Sequence, residues 1–119
     1  MSGPLDGVRI VDLTTVLMGP YATQILADMG AEVIKVESPE GDVTRQLYPY
    51  RNRGMGFMYL SVNRNKRSIV LDLKKSEARD AVLALAKDAD VLVYNIRPAA
   101  MARLKLSYDE VRAVNPRIL

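Results

Sequence analysis

The chain has 119 residues, 49% apolar and 26% charged, with a formal net charge of +3, which fits one globular domain spanning residues 1–119. It contains no cysteine and no histidine. That excludes disulfides, thiolate catalysis and cysteine-ligated metal, and removes the commonest general base and metal ligand. Any proton transfer falls to Asp, Glu, Lys or Tyr. No apolar run approaches the ~20 residues that cross a bilayer, and Met1–Gly7 lacks the pattern of a signal peptide. A cytoplasmic location is expected, with no membrane partner.

Val8–Leu13 reads as a short buried strand. Gly19-Pro20 opens a helix over Tyr21–Met29, with proline at the position where a missing N–H costs nothing. Ala22, Ile25, Leu26 and Met29 give that helix one apolar face, and Gly30 stops it. Glu32–Glu37 reads as a second strand. Strand, helix and strand at this spacing make a parallel βαβ unit. Ligands of such units sit at the carboxyl ends of the strands, so Thr14–Pro20 is the first place to look for a site.

Ser38–Tyr50 is broken by Pro39, Gly41, Asp42 and Pro49, and Arg51–Asn65 has no clear period. A connection this long inside a small domain is expected to be functional or mobile. Between Asp42 and Asp72 there is no acidic residue, yet Arg45, Arg51, Arg53, Arg64, Lys66 and Arg67 fall inside. The stretch is either a solvated basic loop or a region that attracts an anionic ligand. A nucleic-acid role is not expected, because no known binding fold accompanies the basic residues.

Ser68–Leu73 reads as the third strand. Ser76 is the expected N-cap of a helix carrying an apolar stripe of Ala78, Ala81, Val82, Leu85 and Ala86. Asp90–Asn95 is the fourth strand. A short helix over Ala99–Leu104 follows Pro98. Ser107 caps a last helix, Tyr108–Val114, whose first turn holds Asp109 and Glu110 where the helix dipole favours them. Arg117-Ile118-Leu119 reads as the start of another strand. The expected fold is α/β: a Rossmann-like parallel sheet with flanking helices. There is no P-loop and no G-x-G-x-x-G after the first strand. Asp12, Asp28, Glu32, Glu37 and Asp72 lie at element ends and are expected as caps or ion-pair partners.

Several segments occur together and in order: Pro4–Leu13, Gly19–Thr23, Leu26–Glu37, Gly41–Arg45, Asn63–Lys74, Ala89–Val93 and Val114–Arg117. In this combination the chain resembles the class III CoA-transferases, a family that includes formyl-CoA and carnitine-CoA transferases and the α-methylacyl-CoA racemases. The resemblance implies coenzyme A or an acyl-CoA as ligand, a carboxylic acid as co-substrate, no metal, and a homo-oligomer, a dimer in the family. It implies that Leu17 and Met18 approach the thioester end of CoA. Ser38 stands where members often carry an arginine against the adenine. Leu71, Asp72, Leu73 and Lys74 match one CoA-contacting segment, and Asn95, Ile96 and Arg97 match another. Arg103 matches a basic residue that meets the CoA phosphates.

Three departures stand out. Ser38 lacks a guanidinium, Thr15 stands where some transferases have histidine, and Lys105 replaces a glycine. The resemblance covers the N-terminal part of the family's cofactor domain. It implies that the catalytic aspartate of the transferases lies beyond Leu119, so no catalytic residue is expected in this chain. Two other readings stay open: a fragment of a racemase, or a non-catalytic CoA-binding or oligomerisation module.

Overall fold

A computed structural model describes residues 2–119. Four strands form one sheet: β1 (Arg9–Asp12), β2 (Glu32–Glu37), β3 (Lys66–Val70) and β4 (Val91–Val93). All neighbours are parallel and the order is β3-β2-β1-β4. The chain moves outward from β1 to β3, then returns to the other side of β1. This is the strand order of half a doubly wound fold, with its switch point between β1 and β4. The expected α/β class and parallel sheet are therefore found.

Helices α1 (Met18–Asp28) and α2 (Phe57–Val62) follow β1 and β2. A 3-10 turn (Val43–Gln46) precedes α2 in the long second connection. Helix α3 (Ser76–Lys87) follows β3, and α4 (Pro98–Arg103) and α5 (Tyr108–Val114) follow β4. None is long and apolar enough to cross a membrane.

Alternation along the strands sends successive side chains to opposite faces. Val11, Leu13 and Val36 pack with Val82 and Ala86 of α3, Met101 of α4 and Val111 of α5. On the opposite face, Ile10 and Val33 pack with Ala27 of α1 and with Ala31. Asn115, just beyond α5, donates its side-chain amide to the carbonyls of Ala86 and Ala89 at 2.9 and 2.8 Å. It thereby ties the end of α5 to the end of α3.

Several boundaries differ from the sequence reading: β1 and β4 are shorter than Val8–Leu13 and Asp90–Asn95, and α4 is shifted by one residue from Ala99–Leu104. Helix α1 begins at Met18 rather than Tyr21. Strand β3 begins at Lys66 and ends at Val70, so Leu71–Leu73 lie beyond it. β3 is an edge strand and tolerates polar residues, which removes the apolar signal at its start. Ser76 is the first residue of α3, not its cap. Lys75 holds that position without a side-chain bond. The cap at Ser107 is as expected: it forms a capping box with Glu110. The strand expected at the chain's end does not form, and of its residues only Leu119 bonds to β4. The Leu119 N–H donates to Asp90 O at 3.0 Å and Leu119 O accepts from the Leu92 N–H at 2.9 Å, the pattern of a parallel ladder.

Candidate functional site

The carboxyl ends of the strands carry a cavity of about 290 Å³. Its walls come from all four strand ends: Leu13 and Thr15 after β1, Ser38–Asp42 after β2, Leu71–Lys74 after β3 and Ile96 after β4. This is where an open parallel sheet receives ligands. Of the residues singled out in the sequence, Ser38, Leu71, Asp72, Leu73, Lys74 and Ile96 meet here.

The others sit around it. Leu17 is the cap of α1 and Met18 its first residue, both exposed. Asn95 grips the backbone of Thr15: its amide donates to Thr15 O at 2.9 Å and its carbonyl accepts the Thr15 N–H at 3.2 Å. Arg97 is the cap of α4. Arg103, the last residue of α4, lines a second, smaller cavity with Lys74, Ser76, Arg79, Leu104 and Lys105. The two cavities share Lys74 and Leu104.

The second cavity has four cations on its wall and no carboxylate. Arg79 pairs with Asp80 through Nη2 at 3.0 Å, but its buried Nε has no partner. A buried donor without an acceptor is costly, and clustered cations favour an anion between them. Lys105 is in the left-handed region, φ +58°, a conformation natural to glycine and strained for lysine. Lysine is thus held here against the preference of its backbone.

Beneath the larger cavity lies a buried polar network. Asp12 accepts from the Thr14 N–H at 2.9 Å, from the Thr14 and Thr23 hydroxyls, and from Lys66 Nζ at 3.1 Å. Lys35, fully buried, pairs with Asp42 at 2.9 Å. Glu37 receives Arg45 through two nitrogens at 2.7 and 2.8 Å, the Asp42 N–H at 2.9 Å, and the hydroxyls of Tyr59 and Ser68. The Arg45 guanidinium also stacks on the Tyr59 ring, 3.8 Å from its centroid.

These contacts set the ionisation of the groups. Burial alone would raise the Glu37 carboxyl, but its donors outweigh it and hold the pKa at about 2. Asp42 is lowered in the same way: burial opposes, while the Thr44 N–H, Lys35 and the Thr44 hydroxyl prevail. Burial, joined by the Glu37 charge, pushes Tyr59 up to about 12. Burial lowers Lys66, with Asp12 opposing.

The basic stretch is thereby explained. Arg45, Arg64, Lys66 and Arg67 pair with Glu37, Asp28, Asp12 and Glu32. Arg45 and Lys66 are thus neutralised inside the fold, while Arg64 and Arg67 pair at its surface. The carboxylates Asp12, Asp28, Glu32 and Glu37 are ion-pair partners, as expected, and the Asp72 carboxylate accepts the Lys74 N–H at 3.2 Å. Among the described residues no acidic cluster could hold a metal ion. Thr15 lies in the Thr14–Pro20 segment that the sequence points to, whereas sequence reasoning missed Gly41 and Asp42 on the larger wall and Arg79 in the smaller cavity. Only the Pro39-Glu40-Gly41-Asp42 turn signal pointed toward any of them.

The model of CoA-transferase family III matches residues 5–119. The chain belongs to that family. An acyl-CoA transferase of Fusarium pseudograminearum is 47% identical over 98% of this chain and 28% of its own length. An acetyl-CoA:oxalate CoA-transferase of Acetobacter aceti is 48% identical over 98% of the chain and 30% of its own length. The solved structure of a CaiB/BaiF family protein from Brucella suis superposes with a TM-score of 0.94 at 39% identity, over all of this chain and 32% of that one. The chain thus spans less than a third of the length of these relatives.

Proposed function

We propose that this chain is the CoA-binding part of an acyl-CoA transferase, one that moves CoA between carboxylic acids. The observation that carries the reading is a pair of adjacent cavities. A larger pocket at the sheet's carboxyl edge shares the lining residues Lys74 and Leu104 with a smaller one walled also by Arg79, Arg103 and Lys105. CoA has the matching parts: a neutral base, a cluster of phosphates, and a long polar-to-apolar arm. Arg103, Arg79, Lys74 and Lys105 would hold the phosphates, and the unpartnered Arg79 Nε fits a phosphate oxygen as acceptor. The N-terminus of α3 adds a favourable dipole beside them. Ser38, Leu71, Asp72, Leu73 and Ile96 would line the base. Leu17, Met18, Asn95 and Arg97 would border the arm.

The transferase reaction uses a nucleophilic carboxylate. Glu37 and Asp42, the buried acids of this wall, have their oxygens engaged by internal donors. The chain's own residues therefore bind and orient, and the isolated chain is expected to give no turnover with acyl-CoA donors. Measured turnover by the purified chain would overturn that part of the reading. Binding is tested by calorimetry with CoA. Arg103→Ala is expected to weaken affinity about tenfold, as for loss of one charge-assisted phosphate contact. An unchanged affinity would remove Arg103 from the site.

We further propose that the chain self-associates in the cytoplasm. On α1, Met18, Tyr21 and Ile25, followed by Met29, form an exposed apolar stripe at helical spacing.

A further inference from the structure

The loop after β1 has a backbone that its sequence does not favour. Val16 is in the left-handed region at φ +75°, and for a β-branched residue this is a true outlier. Such strain persists only where the surroundings over-determine it. Here Thr14, Thr15 and Val16 are each held by side-chain bonds. Asp12 takes the Thr14 N–H and hydroxyl. Lys35 Nζ donates to Thr14 O at 2.9 Å. Asn95 pinches Thr15 from both sides. The Val16 N–H is shared between the two Asp42 oxygens at 3.3 and 3.4 Å.

Lys35 and Asp42 are the centre of this arrangement. Their ion pair is fully enclosed, with both side chains 0% exposed. A buried pair is seldom more stabilising than an apolar pair of the same volume. Stability alone therefore does not account for it. What the pair does is fix two walls of the cavity against each other: Lys35 and Asp42 bind the loop after β1, and Asp42 itself lines the cavity from the loop after β2. Gly19 completes the clamp. A side chain there would meet the Thr14 Cβ at 2.5 Å, so α1 starts in direct contact with the held loop. The side chains beyond the clamp remain free. Val16, Leu17 and Met18 are 45%, 40% and 76% exposed although the backbone carrying them is pinned.

We propose that Lys35 and Asp42 are positioning residues: they hold Thr14–Leu17 in a strained, preformed shape that presents an apolar edge to the arm of the bound thioester. The identity of the ligand rests on the CoA reading above; the clamp does not. Strain is kept at Val16 because a preformed loop loses less freedom on binding.

Two measurements on the full chain test this. Hydrogen exchange reads the clamp without ligand. The amides of Thr15 and Val16 are expected to exchange about tenfold faster or more in the Lys35→Met/Asp42→Leu double variant, which replaces the pair by apolar groups and keeps the core filled. Unchanged exchange in a folded variant would overturn the clamp, and Asp42→Asn gives the same readout should the double variant not fold. Calorimetry with acetyl-CoA and with adenosine bisphosphate, the head of CoA without its arm, reads the consequence. Val16→Gly relieves the strain and is expected to melt no lower than wild type, yet to bind acetyl-CoA about fivefold more weakly while binding adenosine bisphosphate unchanged. Equal acetyl-CoA affinity, or equal loss for both ligands, would overturn the positioning role. If wild type binds neither ligand while the exchange effect is seen, the CoA reading falls and the clamp stands.

Discussion

The two faces of the sheet are built from different materials. Toward α3, α4 and α5 the interior is aliphatic: Val11, Leu13, Val36, Val82, Met101, Leu106 and Val111 interlock with no charge among them. Toward α1 and α2 the same strands bury Asp12, Lys35, Glu37 and Lys66, with Asp42 close by. An aliphatic core needs only volume and shape. A buried charged core needs every partner in place, since removing one leaves the other uncompensated. The charged half lies under the loops that wall the cavity, and the aliphatic half carries the helices that support it. Stability is thus insured on one face while geometry is dictated on the other.

Substitutions should separate the two. Glu37→Ala strands Arg45, the Asp42 N–H and two hydroxyls, and is expected to cost about 4 kcal/mol. Met101→Ala, on the aliphatic face, leaves a cavity and is expected to cost about 3 kcal/mol. Urea melts compare them directly, and a larger loss for Met101 would reverse the contrast.

Acid should discriminate as well. Glu37 has a folded pKa of about 2, below the ~4.3 of an unfolded glutamate. The unfolded state therefore binds the proton first. The stability that Glu37 contributes, on the order of 2–3 kcal/mol, is fully present above about pH 4.3 and is lost as pH falls toward 2. Asp42, also lowered, adds to the same window. In Glu37→Gln the fall in melting temperature between about pH 4.3 and 2 should be shallower. An unchanged slope would mean that Glu37 is not the acid-sensitive group.

The smallest expected effect lies in the phosphate-side cavity. Lys105→Gly relaxes the φ of +58° and should raise stability by about 1 kcal/mol or less. It should also weaken CoA binding. A fall in stability would show that lysine is not strained there.

Much of the aliphatic half was legible in the sequence. Apolar runs identify β1 and β2, an apolar stripe identifies α3, and Ser107 with Asp109 and Glu110 marks the start of α5 without any tertiary information. The charged half was not. Lys35 sits between Ile34 and Val36 with no sequence signal of its burial; it is buried because Asp42 and Thr14 O meet it there. The basic stretch invited a ligand, because its partners Asp12, Asp28, Glu32 and Glu37 are distant in sequence. Helix α2 has only six residues and begins after Gly56, too short for a period to emerge. In the site, Leu71–Lys74 and Arg103 were marked by family resemblance, whereas Arg79 and Asp42 reach the cavities only through the fold.

The hub at Glu37 also decides which parts of the long second connection a protease can reach. Arg45 is held by the Glu37 carboxylate and lies across the Tyr59 ring, while Arg51 and Arg53 are exposed and bordered by bends and turns. Limited trypsin digestion should nick the chain first after Arg51 and Arg53 and spare Arg45. The nicked halves should stay together, because Arg45 and Tyr59, on opposite sides of the cut, both remain bound to Glu37.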